Sequence, residues 1–309
     1  MTRFPVIIGP TAGGKSSLAV ELCLSLAARG RRAEVVTADS MQVYRGMDIG
    51  TAKPTAVERG GVPHHLIDLV EPTESFTVDQ WLKLANGLID ELRGRGVTPV
   101  VVGGTNLYVK ALLEGLFEGP AADAPLRERL SAMDPATRRA ELERVDPEAA
   151  RRIHFNDVRR TVRALEVFHL TGTPISEHQS QWESEAGVRQ DAVVIGLEWE
   201  TETINRRINA RVKQMVEQGF VEEVRGLLER RAMGAQAREA LGYKQLAAAL
   251  ECGGTAGQID DAVEKTKIET RRFAKNQRTW LKRFRALPGA VWLDGGTDGL
   301  VERAVAALM

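Results

Sequence analysis

A glycine-rich segment near the N-terminus has the residue types and spacing of a phosphate-binding loop. Its eight residues are Gly9, Pro10, Thr11, Ala12, Gly13, Gly14, Lys15 and Ser16. They follow a β-rich run and open a segment of helical apolar spacing, the context in which this pattern is specific. The glycines let backbone N–H groups surround an anion at the positive end of a helix. Lys15 would add a positive charge and Ser16 a hydroxyl ligand for Mg²⁺. The loop therefore predicts a site for a diphosphate or for nucleotide phosphates.

Two further polar segments follow predicted strands and would meet at one edge of a sheet. Asp39 and Ser40 come after the second strand, and Thr105 lies in the Gly-Gly-Thr segment after the third. Open α/β sheets bind ligands at the carboxyl ends of their strands. A carboxylate there could accept a proton or hold Mg²⁺, or it could simply cap a turn. The third strand lacks the aspartate that many P-loop ATPases carry at a strand end. This weakens an ATPase assignment and leaves a kinase open.

Two groups of arginines have spacings suited to phosphate. Arg207 and Arg211 lie four residues apart on one predicted helix, so they share a face. Two guanidinium groups on one face suit bidentate capture of phosphate, although such a pair is also typical of a solvated surface. A basic cluster around Arg160, beside His154 and Asn156, could contact a phosphate backbone or only solvate a helix.

A run of basic residues near the C-terminus indicates a polyanion partner. Total charge is uninformative, because 42 basic residues balance 42 acidic ones. At 100° per residue, one sector of a helix carries the residues that we call the basic stripe: Arg271, Lys275, Arg278, Lys282 and Arg285. The opposite side carries Phe273, Trp280 and Phe284. We expect the aromatic side chains in the core and the charges facing outward, as a nucleic-acid backbone requires.

The elements that would position these residues alternate between strand and helix. Apolar patterning predicts strands over 4–8, 34–37, 99–102, 191–197 and 290–293, and helices over 16–29, 77–92 and 203–217. This alternation is typical of an α/β fold, here a P-loop NTPase-like parallel sheet. Residues 121–186 contain charge-rich helical segments and no convincing strand. We therefore expect a core of 1–120 and 187–309, interrupted by an all-helical insertion over 121–186.

Composition narrows the class of protein further. The 309 residues are 43% hydrophobic and 27% charged, as in globular proteins. No apolar run approaches the roughly 20 residues of a membrane span, and the N-terminal residues do not resemble a signal peptide. Cys23 and Cys252 are too far apart to suggest a zinc site or a disulfide framework. We expect a cytoplasmic protein without membrane association, and a monomer by default.

Together these segments resemble the tRNA dimethylallyltransferases, also called tRNA isopentenyltransferases. The resemblance runs almost end to end, and the block over 38–54 is its most specific part. The matching residues are 9–16, 38–54, 63–65, 103–108, 154, 156–157, 160, 163–167, 242–244 and 273–275. Phe155 and Asn276 depart from the family pattern, where a proline and a basic residue are usual.

The resemblance implies a reaction and a role for each part of the site. Family members transfer a dimethylallyl group from dimethylallyl diphosphate to N6 of the adenosine 3′ of the tRNA anticodon. By similarity the phosphate-binding loop holds the donor's diphosphate, and Asp39 is the general base. Lys15, Arg211 and a Mg²⁺ ion on Ser16 would stabilise the leaving diphosphate, while Thr105 lines the channel where base and donor meet.

The resemblance and the basic stripe also predict which residues contact tRNA. The helical insertion would grip the anticodon stem-loop, and Ser40 and Gln42 would contact the edges of the target base. The full predicted set is Asp39, Ser40, Met41, Gln42, Thr105, Arg127, Arg159, Arg160, Thr161, Val162, Arg163, Glu239, Ala240, Leu241, Gly242, Tyr243, Lys244, Arg271, Lys275 and Arg278.

Three alternatives stay open at the level of sequence. An adenylate isopentenyltransferase would use the same donor with a free nucleotide, but it would need neither the basic insertion nor the basic stripe. A P-loop small-molecule kinase would instead transfer the γ-phosphate of ATP. A non-catalytic RNA-binding protein on the same scaffold would bind tRNA and would tolerate loss of Asp39.

Overall fold

The chain folds into two compact units. The computed structural model describes residues 3–117, 119–179 and 189–308. The first unit consists of Met1–Leu113 and Arg189–Met309, and the second of Glu114–Val188. The second unit therefore begins seven residues before the predicted start of the insertion at 121 and ends two residues after its predicted end at 186.

A six-stranded parallel sheet forms the centre of the first unit, which confirms the predicted α/β class. Its strands are β1 (Phe4–Ile8), β2 (Ala33–Thr37), β3 (His64–His65), β4 (Thr98–Val102), β5 (Ala192–Glu198) and β6 (Val291–Asp294). They lie in the order β3-β2-β4-β1-β5-β6, and every pairing is parallel. The central strands are near-continuously apolar because helices cover both faces of the sheet. The two-residue strand β3 is not predicted from the sequence.

Four helices precede the second unit or end at its start. They are α1 (Lys15–Ala28), α2 (Ala56–Arg59), α3 (Val78–Gly94) and α4 (Asn106–Glu114). Helix α3 begins at a capping box, in which the Thr77 hydroxyl accepts the Gln80 N–H and the Gln80 side chain accepts the Thr77 N–H. Its apolar side packs Trp81 into the core, where the indole N–H donates to the Thr37 carbonyl at 2.9 Å.

The described residues of the second unit form helices without a strand. These helices are α5 (Ala124–Ala132), α6 (Pro135–Val145), α7 (Pro147–Arg152) and α8 (Val158–Thr171). Asp123, Asp134 and Asp146 cap the first three, each with a proline in the first turn. The helices pack around a small core that includes Leu142 and Leu165.

The remaining helices return to the first unit. They are α9 (Thr201–Glu217), α10 (Phe220–Glu229), α11 (Ala235–Arg238), α12 (Tyr243–Glu251), α13 (Ala256–Arg285) and α14 (Leu300–Ala306). Helix α13 is 30 residues long and packs against both α9 and α12.

The predicted burial of the α13 aromatics is wrong for one of them. Phe284 is fully buried, whereas the side chain of Phe273 is 41% exposed. The two residues are eleven positions apart, about three turns, and so lie on nearly the same helix face. That face meets the core at Phe284 but borders an open cleft at Phe273.

The basic stripe also faces outward only in part. Arg271 donates to the Asn209 side chain, Arg278 to the Thr201 hydroxyl, and Arg285 pairs with Glu198. Arg271 and Arg278 are half-buried, so the prediction of a fully outward charge ladder is wrong for these two residues, whereas Arg285 is exposed although it pairs with Glu198. Helix α9 and the end of β5 lie beside this face of α13 and supply acceptor oxygens. Lys275 and Lys282 are exposed.

Candidate active site

A cleft of about 470 Å³ opens at the carboxyl ends of β1, β2 and β4, within the first unit. Its walls are the phosphate-binding loop, the segments after β2 and β4, and parts of α9, α12 and α13. Residues predicted from sequence that line it are Thr11, Lys15, Ser16, Asp39, Ser40, Met41, Gln42, Thr105, Arg211, Glu239, Ala240, Leu241 and Tyr243. The fold thus brings together segments that are up to 266 residues apart in the chain.

The phosphate-binding loop has the geometry of an anion cradle. Gly14 precedes α1 with φ of 82°, a left-handed conformation that favours glycine. The Gly13 N–H donates to the Pro10 carbonyl at 3.1 Å, and the Lys15 ammonium donates to the same carbonyl at 2.7 Å. A Cβ atom on Gly13 would lie 2.8 Å from that oxygen, so the turn closes only around glycine.

Lys15 and Arg211 place two neighbouring positive charges in the cleft. Burial, and then the nearby Arg211 guanidinium, lower the pKa of Lys15 to about 8, against a raising effect of Asp39. Burial also lowers the pKa of Arg211, while Asp39 again acts in the opposite direction. No carboxylate in the described part of the chain forms an ion pair with either cation. Two neighbouring cations with no paired anion are suited to bind an anionic ligand.

Asp39 presents one carboxylate oxygen to the backbone and leaves the other available. Its Oδ1 accepts the N–H groups of Met41 at 2.8 Å and Gln42 at 3.2 Å. Within the described ranges, no hydrogen bond reaches Oδ2. The turn-capping role and the proton-accepting role considered from sequence are therefore compatible, because each uses a different oxygen.

Thr105 ties the segment after β4 to the segment after β2. Its Oγ1 accepts the Ser40 N–H at 2.9 Å and lies 3.2 Å from the Ser40 hydroxyl. Gly103 makes this approach possible, since a Cβ there would lie 2.0 Å from the Ala38 carbonyl oxygen. Asp39 and Thr105 consequently share one rim of the cleft.

Gln277 is a site residue that the sequence analysis missed. Its side chain is 3% exposed and spans two walls of the cleft. The Thr11 N–H donates to Gln277 Oε1 at 2.8 Å, and Gln277 Nε2 donates to the Gly104 carbonyl at 2.9 Å. One signal could have revealed it: a polar residue on the buried face of α13, between Ala274 and Leu281.

Glu223 is a second residue that the sequence patterns did not predict, and it holds residues 48–50 through their backbone. Its carboxylate accepts the N–H groups of Asp48 at 3.0 Å, Ile49 at 2.8 Å and Gly50 at 3.2 Å. It also accepts the hydroxyl of Tyr243. Burial first, and then Glu223, raise the pKa of that phenol well above its usual range. The Tyr243 hydroxyl is therefore committed to the protein, although the ring lines the cleft.

The residue Gly50 fits this arrangement because it has no side chain. A Cβ at this position would lie 2.1 Å from Cε2 of Phe220 and 2.4 Å from Cε2 of Tyr243. The loop that carries Gly50 and Thr51 therefore packs flat against α10 and α12, and it forms one wall of the cleft.

Arg207 and Arg211, considered from sequence as a phosphate-binding pair or as a solvated surface, have different positions, and of the two only Arg211 lines the cleft. The Arg207 guanidinium carbon lies 4.4 Å from the centre of the Trp199 ring, and its Nε donates to the Ala12 carbonyl at 2.8 Å. Arg207 thus supports the outer side of the phosphate-binding loop, and Arg211 alone lines the cleft. The Arg207 charge nevertheless remains near Arg211, where, after burial, it contributes to the lowered pKa of Arg211.

Two predicted tRNA-contacting segments in the first unit contain residues that already form hydrogen bonds or ion pairs within the protein. The Gln42 amide donates to the Thr51 and Ala52 carbonyls at 3.1 Å, so those N–H groups are not free for a base. Glu239 and Lys244 form an exposed ion pair at 2.7 Å.

In the second unit, Arg127 and Arg163 have an internal partner. Both donate to Glu166, whose side chain is fully buried, at 2.8 and 2.6 Å. Burial would raise the pKa of Glu166, but the hydrogen bonds from the two arginines outweigh it and leave the pKa below its ordinary value. Thr161 and Val162 are buried, at 3% and 6% exposure. Arg159 and Arg160 are the exposed members of this predicted segment.

Comparisons with known proteins agree on one family. The family model described as IPP transferase matches residues 42–284. A tRNA dimethylallyltransferase of Shouchella clausii is 45% identical over 94% of this chain and 92% of its own length. One from Mycobacteroides abscessus is 43% identical over 99% of this chain and 97% of its own length.

Solved structures give the same result. The full-length tRNA isopentenylpyrophosphate transferase of Bacillus halodurans is 38% identical, with a TM-score of 0.70 over 100% of this chain and 97% of its own. A eukaryotic dimethylallyltransferase, captured in crystallographic snapshots while acting on tRNA, is 28% identical. Its TM-score is 0.83 over 99% of this chain and 78% of its own. In the described ranges, no helix has the length and apolarity to span a membrane.

Proposed function

The chain belongs to the IPP transferase family of tRNA dimethylallyltransferases, and we propose how its cleft performs the transfer. The donor is dimethylallyl diphosphate, and the acceptor is N6 of the adenosine next to the anticodon on its 3′ side. One observation carries the proposal: Asp39, with a free carboxylate oxygen, shares a 470 Å³ cleft with the unpaired cations Lys15 and Arg211. A proton acceptor and a diphosphate site thus line the same cavity.

The diphosphate of the donor lies on the phosphate-binding loop. The N–H groups at the start of α1 and the charges of Lys15 and Arg211 stabilise the negative charge that gathers on the leaving group. These groups favour the transition state over the ground state because the charge on the bridging oxygen grows as its bond to carbon breaks.

Mg²⁺ fits this site as a partner of the diphosphate. The exposed Ser16 hydroxyl stands at the start of α1, and no cluster of three His, Cys, Asp or Glu side chains in the described ranges offers a separate cage. Such a donor set matches the preference of Mg²⁺ for one or two protein ligands supplemented by phosphate oxygens and water. The ion would neutralise part of the diphosphate charge.

Asp39 acts as the general base on the acceptor. The exocyclic amine of adenine is a weak nucleophile, because its lone pair is delocalised into the ring. As the bond from N6 to the allylic carbon forms and the bond from that carbon to the diphosphate oxygen breaks, Asp39 Oδ2 takes the N6 proton. The two backbone N–H groups on Oδ1 hold the carboxylate in place. Thr105 keeps the opposite segment at a fixed distance.

The target adenosine must leave its stack to enter the cleft, at a cost of a few kcal/mol. Exposed basic side chains then bind the phosphate backbone: Arg159 and Arg160 on α8, and Lys275 on α13. Four other predicted arginines already donate hydrogen bonds within the protein, and they contact tRNA only through their remaining N–H groups. These are Arg127, Arg163, Arg271 and Arg278. A monomeric state and a cytoplasmic location complete the proposal.

Transfer of radiolabel tests this function against its alternatives. Labelled dimethylallyl diphosphate and Mg²⁺ are offered to unmodified tRNA and, in parallel, to free AMP. Label in tRNA alone supports the proposal, and nuclease mapping locates the modified base. Label in AMP would favour the nucleotide-acceptor enzyme, while phosphate transfer from ATP to a small molecule would favour the kinase.

A further inference from the structure

Helix α13 contributes a buried amide that joins the donor side of the cleft to its acceptor side. Gln277 accepts the Thr11 N–H at 2.8 Å, within the phosphate-binding loop, and donates to the Gly104 carbonyl at 2.9 Å. The Gln277 side chain is 3% exposed, and its two partners lie in partly buried segments of the cleft wall. Buried amides are found satisfied in this way because an unpaired donor or acceptor is costly.

The Thr11 N–H is thereby removed from the set that can bind a phosphate. In a glycine-rich loop of this kind the backbone N–H groups are the usual anion ligands. Here the Thr11 N–H is occupied by Gln277 and the Gly13 N–H by the Pro10 carbonyl, which leaves the other N–H groups of the loop and the two cations for a diphosphate. Gln277 thus limits which N–H groups of the loop are available to a diphosphate.

The other bond of Gln277 leads towards the general base. Gly104 is followed by Thr105, whose hydroxyl accepts the Ser40 N–H at 2.9 Å, and Ser40 follows Asp39. A continuous path of hydrogen bonds and single peptide units therefore runs from Thr11 through Gln277, Thr105 and Ser40 to Asp39. A Cβ on Gly104 would lie 3.0 Å from Gln277 Nε2, so the path is tightly packed.

We propose that Gln277 is a positioning residue that sets the distance between the bound diphosphate and the Asp39 carboxylate. The inference rests on the proposed function, because it concerns the separation of the donor's reacting carbon from the base that deprotonates its acceptor. Such a role affects the transfer step more than the binding of either substrate, because errors of about 1 Å in a reacting geometry are costly.

The test uses two substitutions of Gln277 and one matched control. Gln277→Met keeps the length of the side chain and removes both bonds, while Gln277→Glu keeps an acceptor for the Thr11 N–H but loses the donor to Gly104. Gln214→Met makes the same change at an exposed position of α9. Single-turnover transfer, the affinity for tRNA without donor, the affinity for inorganic diphosphate and the melting temperature are measured for each.

We expect Gln277→Met to lower the transfer rate about 10- to 100-fold, with both affinities within about threefold of wild type and Gln214→Met unchanged. Gln277→Glu should also be slow, since the link to Gly104 is broken. Equal transfer rates in wild type and Gln277→Met would overturn the proposal. The proposal would also be overturned if the loss of rate in Gln277→Met matched a loss of folded protein, measured as a lower melting temperature and a lower tRNA affinity.

A double-mutant cycle with Thr105→Val separates positioning from general destabilisation. If Gln277 acts through Thr105, then Gln277→Met should cost much less rate in the Thr105→Val background than in wild type. If the losses of transfer rate in the two single variants simply added in the double variant, Gln277 would not act through Thr105. Failure of the proposed function is distinguishable, since the wild-type protein would then transfer no dimethylallyl group to tRNA in the first place.

Discussion

The hydroxyl of Thr105 accepts the backbone N–H of Ser40 at 2.9 Å, 65 residues away in the chain. This bond joins the ends of β4 and β2 one residue beyond Asp39. Because the strands themselves are already paired in parallel register, the loops that follow them inherit a fixed separation. Asp39, the proposed general base, is thus held by the sheet and by one side chain of the neighbouring loop.

Loss of the Thr105 hydroxyl should therefore slow transfer without preventing folding. In Thr105→Val the Ser40 N–H loses its acceptor, an interaction worth about 1–3 kcal/mol when buried. We expect kcat to fall about tenfold, whereas Thr105→Ser retains the hydroxyl and most of the rate. Steady-state kinetics on both variants provide the check. Equal rates for valine and serine would show that the hydroxyl does not position the acceptor side.

Donor affinity should depend on the ionisation of Lys15. Burial and Arg211 lower its pKa to about 8, so in the free protein the ammonium loses its proton as pH rises through that value. We expect the Kd for dimethylallyl diphosphate to increase above about pH 8. In Lys15→Arg, whose guanidinium stays charged, that increase should be absent. A wild-type Kd that does not change between neutral and alkaline pH would contradict this role.

The same shift predicts an effect on stability. The pKa of Lys15 is lower in the folded than in the unfolded chain, where it is near its ordinary value of 10.5. The unfolded state binds the proton more tightly, so this group destabilises the folded state at neutral pH, and stability rises with pH between about 8 and 10.5. We expect Lys15→Met to melt higher than wild type at pH 7, and the exposed control Lys213→Met to melt unchanged. A melting temperature for Lys15→Met below that of the wild type at pH 7 would show that Lys15 does not destabilise the folded state.

The salt dependence of tRNA affinity should distinguish residues of the basic stripe that face solvent from those hydrogen-bonded within the protein. Lys275 is exposed, whereas Arg271 donates to Asn209. If Lys275 neutralises one tRNA phosphate, Lys275→Ala should reduce the slope of log affinity against log salt by about 0.7–0.9. Arg271→Ala should change the slope less. Filter binding over a salt series measures both, and a salt-independent wild-type affinity would remove the stripe from the tRNA interface.

The second unit should depend on the buried carboxylate of Glu166. Glu166 accepts hydrogen bonds from Arg127, Arg163 and the Asp123 N–H, and each such bond to a charged group contributes about 1.5–3 kcal/mol. We expect Glu166→Ala to increase hydrogen exchange in α5 and α8 strongly, and the exposed Glu143→Ala to have little effect. Since the pKa of Glu166 is lowered in the folded state, its stabilising effect is present at neutral pH and is lost as pH falls through that pKa. Unchanged exchange in Glu166→Ala would contradict the structural role.

Local patterns in the sequence were sufficient for the fold and for the segments that form the cleft. The phosphate-binding loop and the strand ends at Asp39 and Thr105 are signals of short range, each contained in fewer than ten residues. Their meeting at one edge follows from the parallel sheet, which the strand–helix alternation predicts. The family resemblance added Arg211, which otherwise looked like one half of a surface pair.

Contacts between distant segments were not predictable in this way. Phe273 and Phe284 share a helix face, yet only the position of the cleft decides that one is exposed. Arg207 and Arg211 share a face as well, but Trp199 and the Ala12 carbonyl capture only the first. Gln277 and Glu223 bond to backbone N–H and carbonyl groups of other segments, and side-chain spacing does not identify such partners even where, as for Gln277, it marks a polar residue on a buried face.

The most direct test of the account is the rate of transfer by Asp39→Asn in a single turnover, with donor and tRNA both saturating. The asparagine keeps an oxygen for the N–H groups of Met41 and Gln42, so the turn should persist, but it cannot accept the N6 proton. We predict that tRNA affinity stays at the wild-type level while the rate falls roughly 10²–10⁴-fold. A rate equal to that of the wild type would show that Asp39 is not the general base.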